Sequence, residues 1–158
     1  VSEALSPAAQ RVQEMLRAAG SPAQVRQLPV TARTAADAAA AIGCTVAQIA
    51  KSLVFKTRGG KPVLVIASGI NRVDEDKIAA ALGEPIGKAD ASFVRGVTGY
   101  TIGGVAPIGH ETPPRIFIDQ DLRQHTVLWA AAGHPHAVFP LTAEELERLT
   151  RGTVIEVK

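Results

Sequence analysis

Apolar positions near the start of the chain fall at helical spacing: Val12, Met15, Leu16 and Ala19 follow the helix-starting pair Ser6-Pro7, and Gly20 ends the run. The spacing predicts an amphipathic first helix. Residues 24–28 alternate polar and apolar, the period of a short strand. Thr34 and Asp37 then cap an alanine-rich helix that stops at Gly43, and Thr45-Val-Ala-Gln48 repeats the capping signature for a shorter one. The apolar run Leu53-Val-Phe55, with Lys51 as its polar start, predicts a strand paired through Gly59-Gly60 with a second over residues 63–67. Asp74 caps a helix that carries Val73 and Ile78 as a hydrophobic staple and ends at Gly83, and Asp90 caps another with Phe93 and Val94. Strands are expected over 115–119, 126–131 and 137–139. Thr142-Ala-Glu-Glu145 opens a last helix stapled by Leu141 and Leu146, and residues 154–157 supply a final strand.

Strands and helices interleave without a strict βαβ rhythm. This predicts a mixed α/β (α+β) fold, a curved, barrel-like mixed sheet surrounded by helices, rather than a doubly wound parallel sheet. At 158 residues the chain is expected to form a single domain over 1–158 with a core of its own. Hydrophobic residues at 46% and charged residues at 20% are ordinary for a soluble globular protein and argue against disorder. The net charge of +2 is scattered, with no basic run to hold long nucleic acid, so no DNA partner is expected and any RNA contact must be local. One cysteine, Cys44, excludes an internal disulfide and reads as a small packed residue. No apolar stretch reaches the roughly twenty residues of a membrane span, and the expected setting is the cytoplasm, with no membrane partner.

The densest chemical signal is Thr98-Gly-Tyr-Thr-Ile-Gly-Gly-Val-Ala-Pro-Ile-Gly109, with four glycines in twelve residues. Backbone without Cβ atoms approaches a ligand closely, and Pro107 limits how far such a loop relaxes. Gly99 and Gly104 have phosphate-loop spacing, but Val105 stands where that motif needs lysine, and no G-x-G-x-x-G is present. Two readings remain for the segment: a tight structural crossover, or a backbone cradle for a carbonyl, ribose or phosphate. Lys51 is either a solvated strand-start lysine, an ammonium that contacts a carbonyl or phosphate oxygen, or a Schiff-base amine. His134-Pro-His136 would put two imidazoles on one face if that piece is extended, yet no third ligand falls at a diagnostic spacing, so a loop turn with polar histidines is the favoured reading and no metal and no cofactor is expected. Glu144, Glu145 and Glu147, like Asp74, Glu75 and Asp76, are explained by helix capping and the helix dipole. If the protein is an enzyme, its reaction must run on positioned water, backbone donors and one lysine.

Five segments together resemble the YbaK/EbsC family, freestanding relatives of the editing insertion domain of bacterial prolyl-tRNA synthetase. They are Thr34-Ala-Ala-Asp-Ala-Ala39, Gln48-Ile-Ala-Lys51-Ser-Leu-Val-Phe55, Ala67-Ser-Gly-Ile-Asn71, residues 98–109 and residues 130–139, in the family's order. The resemblance implies the fold of that prolyl-tRNA synthetase-associated domain and hydrolysis, in trans, of the ester in mischarged tRNA, with tRNA(Pro) as the expected carrier. It implies Lys51 as the critical side chain and Gly103 in the substrate pocket, both as catalytic positions. It further implies Leu28, Thr31, Gly104, Ala131 and Gly133 as substrate-binding positions, the acceptor end of aminoacyl-tRNA as partner, and prolyl-tRNA synthetase as a possible second one. At Ala130-Ala-Ala-Gly133 the chain departs from relatives that carry Ser-Gly-Gly, which favours a small apolar side chain on the substrate. The alternative reading is a catalytically silent module that binds tRNA or a synthetase.

Overall fold

Local sequence signals become five helices and eight strands in the computed structural model, which describes residues 5–29 and 34–158. The helices are α1 (Pro7–Ala18), α2 (Ala35–Ile42), α3 (Glu75–Leu82), α4 (Ala91–Thr98) and α5 (Ala143–Thr150). The strands are β1 (Arg26–Gln27), β2 (Ile49–Thr57), β3 (Pro62–Ser68), β4 (Ile86–Lys88), β5 (Arg115–Asp119), β6 (Leu128–Ala131), β7 (Ala137–Leu141) and β8 (Thr153–Ile155). Each helix starts where a side chain accepts a free N–H. Asp37 N–H donates to Thr34 Oγ1 at 3.0 Å while Thr34 N–H donates to the Asp37 carboxylate at 3.2 Å, and Thr142 and Glu145 repeat the exchange. Asp90 accepts from Phe93 N–H at 2.8 Å, and Asp74 accepts from Asp76 N–H at 3.0 Å.

All eight strands join one mixed sheet in the order β1-β7-β6-β2-β3-β5-β8, with β4 against the far end of β2. Helices cover it as expected, but the sheet is open: β1 and β8 end it instead of closing a barrel. The hairpin β2–β3 is its antiparallel centre, with Phe55 opposite Val63, and β5 and β8 add to it in parallel. One face packs Leu64, Ile66, Ile118 and Phe139 against Val12 and Leu16 of α1, Val94 of α4 and Leu146 of α5. The opposite face carries two smaller clusters. Phe55, Val65 and Phe117 pack on Ile78 of α3, and Leu28 with Val138 packs on Trp129 and on Ala38, Ala41 and Ile42 of α2.

Three departures from the sequence pattern bear on function. β2 starts at Ile49 instead of at Lys51, so that lysine sits inside a central strand. The strand β4, only three residues long and containing Gly87, is too short for a period to reveal. A 3-10 turn at Gln120–Gln124 follows β5, started by Asp119, whose side chain accepts from Asp121 N–H at 2.9 Å. The last strand is shifted by one residue and shorter than its pattern, at Thr153–Ile155.

Candidate functional site

The site begins as a split in the sheet. On one side of β2, pairing with β6 ends at Ala50↔Ala130, and pairing with β4 starts only at Phe55↔Lys88. Residues 51–54 therefore have no strand beside them on that side among the described residues. All four are half-buried, in a strand whose flanking residues Ala50 and Phe55 are buried. Gly69 N–H bonds Ile49 O, and Thr57 N–H bonds Lys61 O, so the odd-numbered residues of β2 turn their backbone groups to β3. Antiparallel alternation then directs the backbone of Ser52 and Val54 into the split.

Side-chain alternation divides this short stretch between two faces. Lys51 shares its face with Leu53 and Phe55, between the α3 cluster and the Leu28–Trp129 cluster, whereas Ser52 shares the other with Ala50 and Val54. No hydrogen bond or ion pair to the Lys51 ammonium exists among the described residues. Partial burial pulls its pKa below the ordinary lysine value, and the negative charge of Asp119 pushes it back up. Asp119 is itself buried and held from three directions. Its carboxylate accepts from Ser68 N–H at 3.0 Å, Asn71 Nδ2 at 2.8 Å and Asp121 N–H at 2.9 Å. Asn71 also donates to Asp121 at 2.8 Å, and Lys158 Nζ lies 3.0 Å from the same carboxylate.

The glycine-rich segment forms the opposite wall. It is a built loop, with Tyr100 fully buried at its centre and the Tyr100 hydroxyl donating to Ile108 O at 2.7 Å. His110 Nε2 lies 2.7 Å from Ala106 O, and burial pulls that imidazole's pKa below its usual value. Within the loop Gly104 N–H donates to Thr101 O at 3.0 Å, and Gly103 has φ of +87°, which makes Thr101–Gly104 a type II turn. The two neighbouring glycines are needed for different reasons. Gly103 supplies the positive φ in open space, and its N–H has no acceptor among the described residues. Gly104 lets the loop rest on the next one, since a Cβ there would lie 2.8–2.9 Å from His134 and Pro135 backbone atoms. Its N–H is already spent on the turn.

Between β2 and this loop lies a cavity of about 220 Å³, lined by Ser52 through Phe55, Lys88, Ala89, Val94, Ile102, Gly103 and Val105. Lys51 is not in that lining; it flanks it from the other face. Ala131 stands where β6 leaves β2, half-buried and opposite Val138. Leu28 is buried on the Lys51 face, its N–H bonded to His136 O at 2.6 Å. Gly133 packs under α1, where a Cβ would come within 3.1 Å of Ala8 O and of the Tyr100 ring. Thr31 lies outside the described residues.

His134 and His136 sit in a turn closed by Ala137 N–H to His134 O, not on an extended strand, and His134 Nδ1 accepts from His136 N–H at 3.1 Å. Among the described residues no three His, Cys, Asp or Glu side chains converge as metal ligands would. Cys44 is half-buried just beyond α2, its thiol pushed up by burial. Glu147, besides its place in α5, pairs with Arg123 at 2.7 Å. Sequence reasoning missed Ser52, Asn71 and Asp119. The signal for Ser52 was a polar residue inside an apolar run, and the carboxylate at the end of β5 gave none until the fold brought Ser68 and Asn71 to it.

Residues 30–149 match the family model of the aminoacyl-tRNA editing domain. The uncharacterised protein YwhH of Bacillus subtilis is 29% identical over 126 residues, covering 80% of each chain. EbsC of Enterococcus faecalis, described as a candidate Cys-tRNA(Pro)/Cys-tRNA(Cys) deacylase, is 26% identical over 78% of this chain and 76% of its own. A solved structure described as a candidate trans-editing enzyme for prolyl-tRNA synthetase superposes with a TM-score of 0.94 at 43% identity, covering 98% of this chain and 99% of the other. No helix among the described residues is long and apolar enough to cross a membrane.

Proposed function

The chain belongs to the aminoacyl-tRNA editing domain family, and from that premise we propose that it is a freestanding deacylase that hydrolyses the ester of mischarged tRNA, tRNA(Pro) foremost. The carrying observation is the split at residues 51–54, which opens a slot with a partnerless ammonium on one side and the free N–H of Gly103 on the other. Ester hydrolysis needs little more. Water adds to the ester carbonyl, negative charge grows on its oxygen, and the ribose oxygen leaves with a proton. The Gly103 N–H stabilises the growing charge, held in place beforehand by the type II turn. Lys51 fixes the terminal nucleotide or polarises the ester, and water or the neighbouring ribose hydroxyl supplies the rest.

Hydrolysis after charging has value because one binding step distinguishes a methylene by only about 1–3 kcal/mol. The modest net charge fits a grip on the acceptor end, and prolyl-tRNA synthetase is the natural source of the substrate in the cytoplasm. The test is a panel of purified mischarged tRNAs with ester loss followed over time. The proposal expects turnover on at least one member and its loss in Lys51→Ala. Binding without turnover across the panel would make the protein a silent tRNA-binding module instead.

A further inference from the structure

Charge is uneven along the chain in a way the net value hides. Residues 38–73 hold five of the 17 cations, Lys51, Lys56, Arg58, Lys61 and Arg72, and none of the 15 carboxylates. Strand register then sorts charge by the ends of the sheet. At the end where β2 turns into β3, Lys56 pairs with Pro62 and Gly87, and Arg58 and Lys61 flank the exposed Gly59-Gly60 turn. At the same end Lys88 stands opposite Phe55, and Arg115 opposite Val63. All but the half-buried Lys56 are exposed, and none makes an ion pair or a side-chain hydrogen bond among the described residues. Lys56 Nζ rests 5.4 Å from the Phe93 ring centre. Glu84 and Asp90 flank β4, and the Asp90 carboxylate already accepts from Phe93 N–H at 2.8 Å. The other end of the sheet is acidic. Asp119 and Asp121 follow β5 there and Glu156 follows β8, while Lys158 and Lys77 are paired to Asp121 and Glu156.

We infer that the RNA backbone leading to the ester leaves the split over the hairpin end of the sheet, where Lys56, Arg58, Lys61 and Lys88 take its phosphates. The identity of the ester rests on the deacylase reading, whereas the direction of approach rests on charge. Arg58 lies four residues beyond Val54, about 13 Å along β2 at roughly 3.3 Å per residue, so a strand leaving the split meets the hairpin within a few nucleotides. Lys88 marks the start of that path, since it lines the cavity. The opposite exit meets the carboxylates of Asp119 and Asp121, which repel phosphate. These cations have no carboxylate to give up, so phosphate binding releases counterions and breaks no ion pair.

The experiment follows fluorescence anisotropy of a labelled, non-aminoacylated tRNA(Pro) acceptor-stem minihelix as protein is added, over a range of salt. Arg58→Glu and Lys61→Glu should each raise Kd about tenfold at about 50 mM salt and lower the salt slope by about 0.7–0.9, the loss of one phosphate contact. Both side chains are exposed beside a glycine turn, so the variants should fold, which a thermal melt checks. Arg72→Glu makes the same change of charge beyond the far end of β3, about 23 Å from the hairpin, and should shift Kd by less than about threefold. Equal losses in Arg72→Glu and the hairpin variants, or hairpin variants with unchanged Kd and salt slope, would overturn the inference. Full competition by poly-glutamate at matched charge would reassign the surface to an acidic protein and overturn it too. Hairpin-dependent binding of the minihelix without turnover on the mischarged panel removes the deacylase reading and keeps the surface. Turnover whose KM ignores Arg58 and Lys61 does the reverse.

Discussion

Lys51 gives the clearest residue-scale contrast between what stability and the proposed activity ask of one side chain. Desolvation lowers its pKa, so the unfolded chain binds that proton more tightly than the folded one. The charged form therefore burdens the fold below the folded-state pKa, and the burden fades as pH rises through it. Lys51→Met is expected to raise the melting temperature at pH 7, by an amount that shrinks near pH 10, and to abolish deacylation. A melting temperature that falls at pH 7 would contradict the desolvation account. For the native protein the same shift predicts deacylation that declines on the alkaline side sooner than an ordinary lysine would impose, read as initial rates corrected for spontaneous ester loss. The glycine pair separates strain from contact. Gly103→Ala forces an L residue to φ of +87° at a cost of about 1–2 kcal/mol, with no clash. Gly104→Ala must move the His134–Pro135 backbone, so urea denaturation should show a larger loss there than at Gly103.

At the scale of elements, the knot around Asp119 ties the ends of β3 and β5 to the Lys51 face. Asp119→Ala strands the Ser68 N–H and one Asn71 donor in a buried setting, which predicts a loss of about 2–4 kcal/mol in urea unfolding. It also removes the charge that holds the Lys51 pKa up, so the alkaline limb of activity should move further toward neutrality. Helix starts were legible because each is written locally: Thr34 with Asp37, Asp74, Asp90, and Thr142 with Glu145 all cap as their spacing requires. The hairpin and the staple pairs were legible for the same reason. The split was not. It depends on where β6 stops and β4 begins along β2, and a strand of three residues has no period to read. The glycine loop announced itself by composition, yet the division of work between Gly103 and Gly104 rests on a turn hydrogen bond and on a backbone neighbour 30 residues downstream.

Across the whole molecule, charge limits how much RNA the protein holds. A formal charge of +2, with Arg123 and Lys158 already paired to carboxylates, argues for a grip on a few phosphates over a grip on a long duplex. Contact with two or three phosphates near the ester gives a salt slope of about −0.7 to −0.9 per phosphate, so KM should rise by less than about 50-fold between about 50 and 200 mM salt. A steeper slope means a larger RNA footprint than the acceptor end. The same reasoning fixes the expected minimal substrate: a minihelix that carries only the acceptor stem and the aminoacylated terminus should be deacylated within about tenfold of the full tRNA, since one lost phosphate contact is worth little at this charge. An isolated anticodon arm should not compete. Strong competition by that arm, or a minihelix slowed a thousandfold, would move the recognition surface away from the split in β2.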